Sequence, residues 1–309
     1  MYQTHTAPYT REHLLVAAQT RYSTEKAGAS DWAPYAHTYV VVVRPTAPSS
    51  NGWCRRSQSC KLGVMKIAVA GKGGAGKTTV SGTIARGLAQ AGHPVLALDA
   101  DANPMLGVSL GVGAEQTDLL LAVRQGLETG EVEHEPTIEG MVERFGADAP
   151  DGVRLVVASR LEVANPGCQC CGVSPDQLLR ELEDGERTVV CDLEAGVSTI
   201  VRMEPGNADV VLVVANPTGK ALEVARRAVE IASDKAEVIV LANRVRDDSD
   251  LELMRAVLGD RELIVIPEDP VIAAADRDGL APIDLDPGSP GVAALVQLAD
   301  RLAGAPVPA

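Results

Sequence analysis

The stretch GKGGAGKTT, residues 71–79, decides the fold of this chain. It follows the apolar run MKIAVA, precedes a segment with helical periodicity, and matches the pattern G-x-x-x-x-G-K-[ST] at Gly71, Gly76, Lys77 and Thr78. Glycines let backbone N–H groups turn inward around phosphate oxygens, and the N-terminus of the following helix adds a favourable partial charge. The stretch therefore predicts a phosphate-binding loop between a strand and a helix. Lys77 is expected to reach the terminal phosphates, and Thr78 a magnesium ion.

Composition divides the chain at Met65. Residues 1–64 carry 7 Lys and Arg against 3 Asp and Glu, whereas residues 65–309 carry 21 against 39. Seven of the eight aromatic residues also precede Met65, and Phe145 alone follows it. We expect residues 1–64 to form a poorly structured extension and residues 65–309 to form the P-loop domain. Met65 opens the first predicted strand as a native initiator would, which favours a mis-assigned start.

The acidic domain argues against binding to nucleic acid, because that binding needs clustered Lys and Arg to neutralise phosphates. No signal-peptide pattern opens the chain, and no apolar run reaches the roughly 18 residues of a membrane span. We therefore expect a cytoplasmic protein that contacts neither nucleic acid nor membrane.

Apolar runs that alternate with helical stretches predict the fold class. After the loop, Val80, Ile84 and Leu88 lie on one face of a helix that Gly92 and Pro94 end. The following strand candidates are VLAL, VRLVVAS, TVVCDL, DVVLVVAN, EVIVLAN and ELIVIP. Near-continuous Val, Leu and Ile runs are typical of parallel strands covered on both faces. We predict an α/β fold with one doubly wound, mostly parallel sheet, and ligands at the carboxyl ends of its strands.

Lys72, directly after the first glycine, gives the loop a second lysine and resembles the deviant Walker A loop of the MinD/ParA class of P-loop ATPases. In that class the early lysine reaches across a dimer interface to the partner's nucleotide. The resemblance implies an ATP-sandwiched homodimer that hydrolyses ATP, with Lys72 and Lys77 as catalytic residues. It assigns the nucleotide to the whole loop, namely Gly71, Lys72, Gly73, Gly74, Ala75, Gly76, Lys77, Thr78 and Thr79.

Carboxylates follow two of the predicted strands. LDADANP places Asp99 and Asp101 at a strand end, from which both could approach the phosphates. By the resemblance, Asp101 matches the aspartate that positions or activates the attacking water, although Ala102 replaces the usual proline. TVVCDLEAG ends in Asp192, which matches the Walker B aspartate that holds magnesium through water. The turn after Asp192 resembles switch II, in which Glu194 is either a switch residue or a solvated turn residue.

Two later segments resemble the adenine-binding parts of the family. Asn243 in LANRVRD follows a strand, and its amide offers both a donor and an acceptor to the adenine edge. IPEDPVIAAADRDG resembles the late I-P-x-D loop, which places Pro267 and Asp269 near the base. Asn and Pro are also ordinary loop residues.

The sequence GCQCCG contains three clustered cysteines. Because a cytosolic protein without a signal peptide keeps its thiols reduced, the cluster indicates metal or redox chemistry rather than a structural disulfide. One chain offers too few local ligands for a closed tetrahedral site, but Cys168 and Cys170 from two protomers supply four. The C-x-C and the D-L-E-A-G turn both resemble the CooC subgroup, which serves carbon monoxide dehydrogenase, and the resemblance implies this shared use of the two cysteines. Zn²⁺ or Ni²⁺ would suit the thiolates. Cys171 has no assigned role, and Cys191 is predicted to be a buried strand residue.

Three functions remain open from the sequence. The first is a homodimeric ATPase that delivers a metal, with nickel favoured, to a client metalloenzyme such as carbon monoxide dehydrogenase. The second is a positioning or partition ATPase of the MinD/ParA kind, and the third is an iron–sulfur reductase component similar to the nitrogenase iron protein. The segment after DLEAG lacks the histidine typical of the CooC subgroup, which weakens the first assignment.

Overall fold

The computed structural model describes residues 65–120, 138–158, 175–182 and 187–304. One sheet of eight strands, in the order β3-β4-β2-β5-β1-β6-β7-β8, organises these residues. The strands are β1 (Lys66–Gly71), β2 (Val95–Ala100), β3 (Ala147–Asp148), β4 (Arg154–Val157), β5 (Thr188–Leu193), β6 (Val210–Ala215), β7 (Glu237–Val245) and β8 (Leu263–Pro267). All neighbouring strands are parallel except β3 and β4, which pair antiparallel. The predicted α/β fold with a mostly parallel sheet is confirmed.

Helices connect the strands and cover the sheet. They are α1 (Lys77–Gln90), α2 (Leu106–Leu110), α3 (Ile138–Phe145), α4 (Pro175–Glu181), α5 (Ser198–Arg202), α6 (Gly219–Ala232), α7 (Asp248–Leu258), α8 (Pro270–Asp278), α9 (Pro282–Leu285) and α10 (Pro290–Ala303). A single 3-10 turn, Pro150–Gly152, precedes β4, and residues 114–120 are also helical. None of the described helices is long and apolar enough to cross a membrane.

The central strand β1 shows why both faces of the sheet are apolar. Ile67 and Val69 pack into the hydrophobic cluster that α1 and α10 complete. Ala68 and Ala70 point the other way, into the cluster completed by α4, α5, α6 and α7. Successive strand residues face opposite sides, so a strand covered on both sides needs a continuous apolar run.

The last helix, α10, packs inside the fold as its apolar stripe predicts. Val292, Leu295, Leu298 and Leu302 are all buried. At the crossing with α1, a Cβ built on Gly87 would lie 2.7 Å from the Cβ of Ala299. The absence of a side chain at Gly87 therefore lets the two helices approach closely.

Candidate active site

The predicted phosphate loop connects the end of β1 to the start of α1. Gly71 has φ 149° and Gly76 has φ 98°, both in the region that favours glycine. Added Cβ atoms would lie 2.3 Å from the Val214 carbonyl oxygen at Gly71, and 2.4 Å from Asn243 Nδ2 at Gly76. Both fixed glycines of the motif are thus required by conformation and by close contact, so the backbone can form a tight cradle.

The start of α1 suits an anion. Its N-cap is Gly76, which has no side chain to occupy the N–H groups of the first turn. Lys77 is the first helical residue, and it is buried. The loop closes on itself through the Ala75 N–H, which donates to the Lys72 carbonyl at 3.1 Å. N–H groups, helix dipole and lysine together suit the phosphate that the motif predicts.

Asp192 provides a test of whether magnesium fits this site. It ends the apolar part of β5, beside Val69 of β1, and its side chain is fully buried. Oδ1 accepts a hydrogen bond from the Ser81 hydroxyl at 3.1 Å, whereas Oδ2 has no partner among the described residues. Burial raises the pKa of Asp192 to about 6, against the opposing effects of the nearby Thr78 hydroxyl and the charge of Lys77. A buried acceptor with a free oxygen near a hydroxyl fits Mg²⁺ and its waters.

The two carboxylates of the LDAD segment have different surroundings. Asp99 is fully buried opposite Asp192 in the β2–β5 register, and burial together with the charge of Asp192 raises its pKa to about 8. Asp101 lies past the strand and is partly exposed, with Oδ1 accepting the Asn103 N–H at 3.0 Å. The charge of Asp101 contributes to the raised pKa of Asp192. The structure therefore places Asp101 just beyond the end of β2, two residues after the register partner of Asp192.

Two further contacts hold the loop, and sequence patterns did not reveal either of them. The Gly196 N–H in the turn after β5 donates to the Gly71 carbonyl at 3.0 Å. On the opposite side, Asn243 Nδ2 donates to the Ala75 carbonyl at 2.7 Å. The segment that resembles switch II and the residue assigned to adenine therefore both bond directly to the phosphate loop.

The other predicted base residue, Asp269, has a clear structural role. It is the N-cap of α8, where Oδ1 accepts the Val271 N–H at 2.8 Å. Its Oδ2 accepts the Gly291 N–H at 2.7 Å and so fixes the start of α10. Pro267 ends β8 two residues earlier. Both oxygens of the Asp269 carboxylate are thus engaged with backbone N–H groups of α8 and α10.

Lys72 is half-buried, and its Nζ donates a solvent-exposed hydrogen bond to the Gly73 carbonyl at 3.3 Å. Cys191 is completely buried in β5, as predicted. Cys168, Cys170 and Cys171 lie outside the described residues, as does the extension 1–64. Within the described part of the chain, no group of three or more His, Cys, Asp or Glu residues is arranged to hold a metal ion.

The profile of the CobQ/CobB/MinD/ParA nucleotide binding domain matches residues 66–283, which include every described part of the loop, both LDAD carboxylates, Asp192 and Asn243. The chain belongs to this MinD/ParA-type family. The fold agrees, because the Pyrococcus furiosus cell division ATPase MinD superposes with a TM-score of 0.58 at 25% identity, over 77% of this chain and 98% of MinD.

Two relatives by sequence refine the position within the MinD/ParA-type family. The carbon monoxide dehydrogenase accessory protein CooC of Rhodospirillum rubrum is 32% identical over 72% of this chain and 91% of CooC. An ATP-binding protein of Methanocaldococcus jannaschii is 31% identical over 72% of this chain and 92% of its own length. The resemblance to the CooC subgroup is confirmed. This MinD/ParA-type protein is an ATPase with a P-loop nucleotide site.

Proposed function

We propose that this protein is a homodimeric accessory ATPase that couples ATP-driven dimerisation to delivery of a metal, with nickel favoured, to a metalloenzyme such as carbon monoxide dehydrogenase. The observation that carries this proposal is the similarity to CooC, which spans 91% of that accessory protein. The C-x-C of Cys168 and Cys170, together with an early loop lysine, supports the same function.

The described residues suit ATP hydrolysis in named roles. Lys77 and the N–H groups of α1 offset the charge of the β- and γ-phosphates, and Thr78 and Asp192 hold Mg²⁺. A magnesium ion supplies charge neutralisation between the phosphates when it is bound. Asp101 orients the attacking water, and the amide of Asn243 and the segment with Pro267 and Asp269 receive the adenine.

Dimerisation is assigned to Lys72. Its ammonium is exposed and bonds only weakly to its own loop, at 3.3 Å from the Gly73 carbonyl oxygen. Such a lysine is available to the γ-phosphate of a nucleotide held by a second copy. A dimer joined across two ATP molecules would bring the two Cys168 and Cys170 pairs to one axis and supply four thiolates. Tetrahedral Zn²⁺ and square-planar Ni²⁺ both accept such a set.

Analytical ultracentrifugation with a non-hydrolysable ATP analogue tests the dimer, and the two loop lysines are matched controls. We expect the wild type to dimerise only with the analogue. Lys72→Ala should bind nucleotide and remain monomeric, whereas Lys77→Ala should lose both properties. The proposal fails if Lys72→Ala dimerises normally, or if dimerisation does not depend on nucleotide. An iron–sulfur absorption band in the purified protein would instead favour a reductase component.

A positioning ATPase of the MinD kind is the second candidate, favoured by 25% identity to MinD of Bacillus subtilis over 80% of this chain. Against it, the apolar stripe of the last described helix, α10, is buried against the fold rather than presented to a lipid surface. Co-sedimentation with anionic vesicles and with duplex DNA, with and without ATP, separates the two candidates. ATP-dependent binding to either would favour this second function.

A further inference from the structure

We propose that Asp99 is a positioning residue for ATP hydrolysis. Its carboxylate fixes both ends of the segment that carries Asp101 and so sets where Asp101 stands beside the magnesium site. This deepens the proposed function, because it rests on the role of Asp101 in orienting water. Asp99 itself makes no contact with the nucleotide in this account.

The geometry of Asp99 differs from that of an ordinary strand residue. The chain leaves β2 at Ala100 and enters α2 at Leu106, with five residues between them. Asp99 Oδ1 accepts the N–H of Asp101 at 3.2 Å, at the start of this connection. Oδ2 accepts the N–H of Leu106 at 2.7 Å, at its end. A single carboxylate therefore closes the connection into a loop of fixed span.

The bond to Leu106 replaces a missing helix cap. The N-cap of α2 is Met105, which has no polar side chain to accept an N–H of the first turn. Asp99 supplies the missing acceptor from the end of β2, the strand that precedes this connection. The start of α2 and the backbone of Asp101 are thus held by the same group.

The placement of Asp99 is costly for the fold. The side chain is fully buried, and its register partner in β5 is another fully buried carboxylate, Asp192. Two such carboxylates repel each other, and burying a charge without a counter-charge is unfavourable. An apolar residue would avoid that cost but would leave the N–H groups of Asp101 and Leu106 without their acceptor. The carboxylate of Asp99 therefore serves to hold the segment between β2 and α2 in one conformation.

The same segment transmits the constraint to the side chain of Asp101. The Asp101 N–H is held by Asp99, and Asp101 Oδ1 in turn accepts the Asn103 N–H at 3.0 Å. In each of these two turns an aspartate carboxylate accepts the N–H of the residue two positions later. The two turns follow one another and fix both the backbone and the side chain of Asp101. Release of the first turn would displace the carboxylate of Asp101, and displacement of a catalytic group by about 1 Å is enough to slow a reaction about 100-fold.

Asp99→Asn tests this role, because the amide keeps the shape but presents an NH₂ group to one of the two N–H donors. We expect kcat for ATP hydrolysis, measured in steady-state assays, to fall about 10- to 100-fold, whereas KM for ATP should change by less than about twofold. The double variant D99N/D101N should be no slower than D101N, because Asp99 acts through Asp101. In the nucleotide-free protein, amide hydrogen exchange of the peptide around 100–107 should be faster in D99N.

Asp250→Asn is the matched control, because Asp250 is another buried carboxylate that accepts a backbone N–H, that of Arg246, and it has no assigned role in nucleotide binding, although it also pairs with the Arg246 guanidinium. It should lower thermal stability and leave kcat unchanged. If D99N does not fold, Asp99→Ser, which removes the buried carboxylate beside Asp192, carries the same expectations.

The outcomes separate this inference from the proposed function. Normal hydrolysis by D101N would overturn the role of Asp101 itself. Slow hydrolysis by D101N, combined with normal kcat in D99N, would overturn only the role of Asp99. Losses that add in D99N/D101N would reduce Asp99 to a structural residue, and unchanged amide exchange in D99N would show that its carboxylate does not hold the segment.

Discussion

At the scale of single residues, the phosphate loop is held from outside by Asn243. Its amide donates to the Ala75 carbonyl. A Cβ on Gly76 would lie only 2.4 Å from the Nδ2 of Asn243, so a side chain at Gly76 would collide with this amide. The residue assigned to adenine thus also fixes the cradle of the phosphates. If Asn243 binds adenine as proposed, one side chain contacts both the base and the phosphate loop.

Asn243→Asp should weaken nucleotide binding through this contact. A carboxylate would place an acceptor against the Ala75 carbonyl and leave that carbonyl without its donor, at a cost of about 1–3 kcal/mol. We expect affinity for ADP, measured by isothermal titration calorimetry, to fall about 10- to 100-fold. Unchanged ADP affinity would show that the bond to Ala75 does not support the loop.

Sequence reasoning reached some residues of the site and missed others for a physical reason. Lys77, Thr78 and Asp192 occur in short patterns at strand ends, and the parallel sheet gathers such ends at one edge. The bonds of Asn243 to Ala75 and of Gly196 to Gly71 join segments more than 100 residues apart. Neither bond leaves a periodic signal in the sequence. The sequence indicates that Asp99 is a strand-end carboxylate. Its bond to Leu106 is not predictable in the same way, because that bond depends on where α2 begins.

At the scale of elements, the packing of α1 against α10 depends on the missing side chain of Gly87. An added Cβ would lie 2.7 Å from the Cβ of Ala299, which is too close for two carbon atoms. The short runs TVVCDL and VLAL became β5 and β2, because a fully covered strand needs apolar residues at every position. The crossing of two helices far apart in the chain had no such local signature.

Gly87→Ala should therefore destabilise the protein, although alanine ordinarily favours a helix. We expect a loss of about 1–3 kcal/mol in the free energy of unfolding by urea. Gly219→Ala at the start of α6 is the control, because no atom lies within 4 Å of its added Cβ, and it should gain about 0.5 kcal/mol. Ala299→Gly should recover part of the loss in G87A. A Gly87→Ala protein as stable as the wild type would contradict the close crossing.

At the scale of the whole molecule, Arg86 connects distant parts of the chain. Its guanidinium is buried and forms ion pairs with Asp151 before β4 and with Asp284 in α9, the latter at 2.8 Å. It also donates to the Leu110 carbonyl at the end of α2, at 3.1 Å. Both carboxylates raise the pKa of Arg86 against the effect of burial, so the guanidinium stays charged. A single side chain of α1 thus joins three other elements.

Arg86→Ala should destabilise the whole domain by about 3 kcal/mol, because it removes the shared partner of two carboxylates and a carbonyl. Arg227→Ala is the control. Its ion pair with Glu223 is exposed on α6, so its loss should leave stability nearly unchanged. Thermal unfolding followed by circular dichroism compares the two variants. Equal melting temperatures for R86A and R227A would contradict the role of Arg86.

The proposed function requires that nucleotide binding at the ATPase site creates a metal site shared between two protomers. Equilibrium dialysis against Ni²⁺, followed by metal analysis of the protein bound to a non-hydrolysable ATP analogue, tests this link most directly. We expect one tightly held nickel ion per two protomers, and we expect Cys168→Ala and Cys170→Ala to lose it. The proposed function is contradicted if the nucleotide-bound protein holds only traces of metal and Cys168→Ala dimerises as the wild type does.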